Sequence, residues 1–209
     1  MIFRSALKYI SVLVFLIFST FIYPSISTAE NRDNIQQQAF SNFEKKIFEM
    51  IDSSMEPLNK LDKELDEESL RKIVLSAKQK FSENHRSFLK IKVPDVLSAD
   101  IKASLEQIKD EFSTGFLVLQ ESMDYFAQYM ENHSHLLLKK FMEKRNRGFL
   151  YIDGGLTSLA TVRLRLDAPK LEATPNVWDV GKRHLYELPK KIPENNKAVP
   201  IKSKLRKSN

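Results

Sequence analysis

The amino-acid sequence predicts an all-α protein: an elongated antiparallel bundle of three to four long helices, with an N-terminal signal peptide and a basic, proline-containing C-terminal tail. Only 5 of the 209 residues are glycine, and none lies between Glu30 and Thr114. Sheet proteins with many tight turns use more glycine than this. Apolar residues also recur at helical spacing through most of the chain. Because the chain has no cysteine, a disulfide-held secreted scaffold is excluded and the fold must depend on core packing.

The clearest predicted helix runs from about Pro94 to Met130. Pro94 suits a first helical turn, where its missing N–H would have no helical partner in any case. The apolar side chains form three blocks, each displaced by 11 residues from the last: Leu97, Ile101 and Leu105; Ile108, Phe112 and Phe116; Leu119, Met123 and Ala127. Eleven residues make about 3.67 per turn, so the stripe stays on one face of a nearly straight helix. We interpret it as a core-facing surface about 55 Å long.

Two more helices are predicted upstream. One runs from Glu67 to about Ile91, with Asp66 as its N-cap, and the short Lys92-Val93 link predicts an antiparallel neighbour. In the other, apolar residues step by four through Ile35, Ala39, Phe43, Ile47 and Ile51. Pro57 interrupts this helix and predicts a kink or a break near Ser53-Ser54.

The stretch from Leu136 to Leu166 fits a fourth helix. Its stripe consists of Leu137, Phe141, Gly148, Ile152, Leu156, Leu159 and Leu166, with Arg145 among them. Gly148 and Gly155 would allow a close approach of another backbone. Two patterns favour other structures, since Asp153-Gly154-Gly155 resembles a turn and Val162 to Leu166 alternates like a strand. We favour the helix, because a lone strand would have no obvious partner.

The first 29 residues have the order of a secretory signal peptide. Arg4 and Lys8 precede an uncharged run from Tyr9 to Tyr23, Pro24 ends the run, and Ser27-Thr28-Ala29 offers small residues to a signal peptidase. The alternative is an uncleaved membrane anchor, because the uncharged stretch through Ala29 approaches the roughly 20 residues of a bilayer span. In both cases the positive charges before the run predict that the rest of the chain is exported.

The chain is therefore divided into residues 1–29, a signal peptide or uncleaved anchor; residues 30–166, a helical bundle; and residues 167–209, a basic extended tail. The tail contains five of the eight prolines, and its ten basic and five acidic residues give it a net charge of +5. The bundle contains 21 basic and 22 acidic residues. This asymmetry is typical of a neutral body followed by a solvated basic segment.

The candidate contact residues lie in this tail. Trp178, the only tryptophan, either folds back onto the bundle or anchors a partner, because aromatic side chains dominate interface energetics. A terminal basic cluster consists of Lys202, Lys204, Arg206 and Lys207. This cluster is either a solvated end or a contact with an anionic envelope polymer or lipid surface.

No catalytic, cofactor or metal pattern is specific enough to predict an activity. His133 and His135 lie near a helix end, and residues two apart on a helix point in different directions, which disfavours a shared metal. Asp153-Gly154-Gly155 lacks the lysine and the strand-to-helix context of a phosphate loop. The carboxylates alternate with lysines, as on a solvated helix face. We therefore expect no cofactor, no metal and no enzymatic activity.

These features favour an exported protein with a binding or structural role. Its expected partner is a protein or an anionic cell-envelope surface, and oligomers are compatible with exposed helix faces. Membrane contact is expected if the N-terminal segment stays uncleaved, whereas nucleic acid is not an expected partner. The alternative function is that of a membrane-active helical protein, either a pore former or a membrane-anchored accessory factor. An enzyme is the least favoured hypothesis.

Overall fold

The computed structural model describes residues 31–63, 65–170 and 177–192. Of these residues, 88% are helical and none is in a strand, and five α-helices pack against each other. The α-helices are α1 (31–55), α2 (Glu67–Lys90), α3 (Ala99–Asn132), α4 (His135–Arg165) and α5 (Val177–Glu187). Short 3-10 segments follow α1 and α5, at Glu56–Asp62 and Leu188–Lys191. The all-α prediction is confirmed, whereas the predicted signal peptide and terminal basic cluster lie outside the described residues.

Helices α2 and α3 run antiparallel, as the short link between them predicted. Phe88, near the end of α2, stacks on Phe112 in the first half of α3, with 5.1 Å between the ring centroids. Lys78, earlier in α2, forms an ion pair with Asp124, later in α3. Almost the whole predicted stripe of α3 is buried, which confirms that it faces the core.

The boundaries of α2 agree with the prediction, but the start of α3 does not. Asp66 Oδ1 accepts a hydrogen bond of 2.7 Å from the Ser69 backbone N–H and so caps α2. Helix α3 begins only at Ala99, after Ser98 as N-cap. The prediction that Pro94 occupies the first turn of this helix is therefore wrong. Pro94 belongs to the link between the helices, where its carbonyl accepts a hydrogen bond from the Leu97 N–H.

Helix α1 ends close to the predicted break but departs from the prediction at its start. The α-helix ends at residue 55, one residue after Ser54, and the 3-10 segment follows it. Ile35 was expected in the core but is 50% exposed. Gln37 Nε2 donates a hydrogen bond to the carbonyl oxygen of Leu166, which lies just beyond the end of α4. Residues that precede Gln37 therefore have no part of α4 to pack against.

Helix α4 continues through both segments that resembled other structures. Asp153-Gly154-Gly155 lies in mid-helix rather than in a turn, and Val162 to Arg165 is helical rather than a strand. Ile152, Leu159 and Val162 are buried. Burial of this helical stripe overrides the local turn and strand preferences of the sequence.

Helices α3 and α4 come into backbone contact at two glycines. A Cβ placed on Gly115 would lie 2.6 Å from Ile152 Cγ1 and 3.3 Å from the Gly148 carbonyl oxygen. A Cβ placed on Gly148 would lie 2.7 Å from Leu119 Cγ and 3.2 Å from the Gly115 carbonyl oxygen. Neither position leaves room for a side chain. The close approach predicted for Gly148 is confirmed, and Gly115 is the partner that the sequence did not reveal.

A buried ion pair joins α1 to α4. The Glu44 carboxylate is fully buried and accepts two hydrogen bonds from Arg163 Nε, at 3.0 and 3.2 Å. Arg163 Nη2 bonds to the same carboxylate. Because a buried charge is tolerated only when paired, this contact fixes the position of α1 against the C-terminal half of α4.

Part of the predicted tail is helical. Residues 177–192, within the predicted tail 167–209, form α5 and a 3-10 segment. Trp178, Leu185, Leu188 and Ile192 are buried. The apolar side of this short helix explains the difference, because it covers core surface that a solvated tail would leave exposed to water.

Replacing Gly148 with valine is expected to lower the free energy of unfolding by about 3 kcal/mol, because the new side chain would overpack the α3–α4 contact. Urea unfolding followed by circular dichroism measures this change. The matched control is Gly154→Val, since a Cβ on Gly154 approaches only Glu111 Oε2, at 3.9 Å. That variant should stay within about 0.5 kcal/mol of the wild type. Equal stability of the two variants would contradict the contact.

Candidate binding groove between α4 and α5

A groove of about 670 Å³ opens between α4 and α5. Its apolar side chains are Phe149, Leu150 and Tyr186. Its charged side chains are Asp153, Asp179, Lys182, Arg183, Glu187 and Lys190. The groove therefore combines an apolar surface with an equal number of acidic and basic groups.

A row of aromatic and cationic side chains docks α5 onto α4. Trp178 packs edge-on against Phe149, with 5.5 Å between the ring centroids. Tyr186 contacts the same Phe149 ring at 5.3 Å, and the Arg145 guanidinium lies 4.1 Å from the centre of the Tyr186 ring. Edge-on aromatic pairs and cation–π contacts each add to the free energy of apolar burial. This row fixes one wall of the groove.

Asp153 holds α5 through two side chains. Its Oδ1 accepts hydrogen bonds from Trp178 Nε1 at 2.6 Å and from Lys182 Nζ at 3.1 Å. Lys182 Nζ also lies 3.1 Å from Asp179 Oδ1. Partial burial disfavours the charged ammonium, but the hydrogen bonds to Asp153 and Asp179 outweigh it and raise the pKa of Lys182. Asp153 is thus a docking residue for α5, in a sequence that resembled a turn.

Arg145 is the most unusual residue beside the groove, because it is a cation with 5% exposure. Its Nη1 donates to the Leu185 carbonyl oxygen at 3.3 Å, and its Nε donates to Asn146 Oδ1 at 3.2 Å. Burial lowers the pKa of Arg145, and the nearby Tyr186 opposes this shift. Within the described residues, Arg145 is in no ion pair. The last turn of α5 and the Tyr186 ring therefore stabilise its charge.

Two further contacts attach α5 to the end of α1 and to the 3-10 segment that follows it. His184 is 1% exposed, and its Nε2 lies 3.1 Å from Asp62 Oδ1. Gly181 packs directly on Met55, whose Sδ would lie 2.5 Å from a Cβ at that position. Helix α5 is consequently held from two sides, and the groove is a fixed feature of the described fold.

Of the predicted contact residues, the structure describes only Trp178. Trp178 is 7% exposed and packs within the protein, which corresponds to the fold-back interpretation. The terminal basic cluster (Lys202, Lys204, Arg206 and Lys207) lies outside the described residues. Across residues 31–63, 65–170 and 177–192, no group of three or more His, Asp and Glu side chains is arranged to hold a metal. His133 instead ends α3 in the left-handed conformation, with a φ of 49°.

One serine–histidine pair was not foreseen from the sequence. Ser113 Oγ lies 2.9 Å from His85 Nδ1, across the contact between α3 and α2. The pairing resembles that of a nucleophile and its base. However, Ser113 is only 4% exposed, and His85 Nδ1 lies 3.0 Å from the Ser113 carbonyl oxygen as well. The pair therefore acts as a polar link between two helices.

Within the described part of the chain, no helix combines the length and the hydropathy needed to cross a membrane.

Replacing Phe149 with alanine is expected to loosen α5 and to lower the free energy of unfolding by about 3 kcal/mol. Because Trp178 is the only tryptophan, its emission should shift to longer wavelength as its ring gains contact with water. Urea unfolding measures the change in stability. Fluorescence emission and acrylamide quenching measure the exposure of Trp178. Leu150→Ala is the control, since Leu150 is 74% exposed and should change stability by less than about 0.5 kcal/mol. Unchanged Trp178 emission in Phe149→Ala would be incompatible with the docking described.

Comparisons with known proteins supply no function by similarity. No family model matches the chain, and neither a curated protein nor a solved structure matches it. The function is therefore inferred from the sequence and the geometry alone.

Proposed function

We propose that this chain is an exported protein, an elongated antiparallel helical bundle with a binding or structural role at the cell envelope. In this proposal the helical part binds a partner protein through the groove between α4 and α5. The basic end of the chain contacts an anionic envelope surface. The first 29 residues direct export and are either removed or retained as an anchor.

The observation that supports binding most strongly is the exposure of apolar side chains beside the groove. Leu150 is 74% exposed and Tyr186 is 50% exposed. Arg183 and Lys190 lie on the same groove and are exposed. Apolar and aromatic groups rimmed by charges are typical of surfaces that bind other proteins. Asp153, Lys182 and Arg145 already stabilise α5, which favours a role of this groove in recognition rather than in chemistry.

The basic cluster at residues 202–207 supports a second contact. Four cations within six residues attract an anionic polymer or lipid surface, and this attraction weakens as salt screens it. Loss of the cluster should therefore make surface association less sensitive to salt. An unchanged salt profile would argue against this role.

Export predicts a defined processed chain in native cells. If the signal peptide is cleaved after Ala29, the mature protein begins at Glu30 and is digested by protease added to cells whose outer layers have been opened. If the segment is retained, the intact chain is found in the membrane fraction with the same protease sensitivity. Mass spectrometry and fractionation measure both. An intact, protease-protected chain without membrane contact would rule out export.

Binding through the groove predicts that reversing its exposed charges reduces partner capture. In the Arg183→Glu/Lys190→Glu variant, chemical cross-linking in intact cells should recover at least about tenfold less partner, equivalent to about 1.4 kcal/mol. Arg86→Glu/Lys90→Glu on α2 is the matched control, because both residues are exposed and lie outside the groove. Circular dichroism verifies that both variants fold. Equal recovery from the two variants would exclude the groove as the binding surface.

A further inference from the structure

A second groove, of about 510 Å³, lies between the 3-10 segment Glu56–Asp62 and the first half of α2. Part of its lining is apolar, since Pro57 and Ile73 are buried and Leu65 is half-buried. The polar part of the lining consists of Lys60, Lys63, Ser69, Lys72 and Ser76. An apolar surface combined with a few polar groups is typical of pockets that bind small molecules. We call this surface the lysine groove.

The spacing of the lining residues explains why cations lie on both sides of the lysine groove. Pro57, Lys60 and Lys63 follow one another at intervals of three residues, and side chains at this interval lie above one another on a 3-10 helix. On α2, Ser69 and Lys72 have the i, i+3 spacing of one helical face. Each of the two packed segments therefore presents its lysines to the same groove.

The acidic residues of this region contact other partners. Asp62 Oδ1 lies 3.1 Å from His184 Nε2 on α5, and Asp66 caps α2. Glu68 Oε1 pairs with Lys72 Nζ at 2.6 Å on the surface of α2. Among the residues that the structure describes, no aspartate or glutamate lines the lysine groove. Charges of opposite sign alternate in the sequence here, but the fold brings only the cations to the groove.

The positive charge of the lysine groove is available to a ligand. Within the described part of the chain, neither Lys60 nor Lys63 forms an ion pair. Lys72 adds a third cation, because the side chains of Lys72 and Glu68 are 73% and 77% exposed and such surface pairs are weak. Two unpaired ammonium groups match a phosphate monoester, which carries a charge of about −1.5 to −2 at pH 7.

We propose that the lysine groove binds a phosphate monoester that carries hydrocarbon chains, as in a lipid of the phosphatidic acid type. The lysines attract the phosphate as point charges, and the hydroxyls of Ser69 and Ser76 are further hydrogen-bond donors. The hydrocarbon part packs on Pro57, Leu65 and Ile73, which gives it a place away from water.

This inference does not rest on the proposed function. The lysine groove shares no lining residue with the groove between α4 and α5. Loss of ligand binding at one groove therefore leaves the assignment of the other unchanged.

Isothermal titration calorimetry of the purified full chain tests the site, with dioctanoyl phosphatidic acid as the probe, below its micellar concentration. Lys60→Gln/Lys63→Gln should weaken binding at least about tenfold, because it removes the two unpaired cations. Lys45→Gln/Lys46→Gln is the matched control, since both lysines are exposed on α1 and lie outside the lysine groove. Circular dichroism verifies that both variants fold. The rest of the chain is identical in the two variants, so the difference between them reports the lysine groove.

Two further probes separate the phosphate from the hydrocarbon chains. Inorganic phosphate lacks the chains, and dioctanoyl phosphatidylcholine has the same chains but no net charge. Each should bind at least about tenfold more weakly than the phosphatidic acid. Equal affinity for inorganic phosphate would overturn the lipid assignment, and equal affinity for the phosphatidylcholine would overturn the role of the lysines. A wild type that binds none of the probes, or whose binding Lys60→Gln/Lys63→Gln leaves unchanged, would overturn the whole proposal.

Discussion

The contact between Gly115 and Gly148 determines how the long helices of this protein fit together. At this point no side chain separates α3 from α4, and each glycine faces the carbonyl oxygen of the other. The close approach lets Ile152, Leu119 and Phe112 reach across the interface, so that the apolar stripe of each helix is covered by the other. Since close-packed interiors tolerate little change in volume, the crossing point fixes the register of the two helices.

The position of α4 in turn determines the groove that we assign to partner binding. One side of α4 carries Phe149, Asp153 and Arg145, which hold α5, and Phe149 and Asp153 also line the groove. The last turn of α4 carries Arg163, which pairs with the buried Glu44 of α1. Leu150 is exposed at the edge of the groove, whereas Leu164 is exposed outside it. Most polar groups near the groove are already used to hold helices, which favours recognition over catalysis.

Much of the fold could be predicted from the sequence, because long apolar stripes at helical spacing leave few alternatives. The stripe of α3 and the Asp66 cap of α2 were identified in this way. The start of α3 was misplaced because Pro94 suits a link as well as a first turn. The packing of α5 could not be derived, since it depends on a contact between Phe149 and Tyr186, which are 37 residues apart in the chain. Buried Arg145 was visible only as an irregularity in an apolar stripe.

The most direct test of the account is a nuclear Overhauser measurement between the α-protons of Gly115 and Gly148 in the folded protein. The account predicts a clear cross-peak, because the position of a Cβ on each glycine lies within 3.3 Å of the other's carbonyl oxygen. Absence of this cross-peak, with both glycine signals assigned and sharp, would contradict the contact on which the arrangement of α4, α5 and the groove depends.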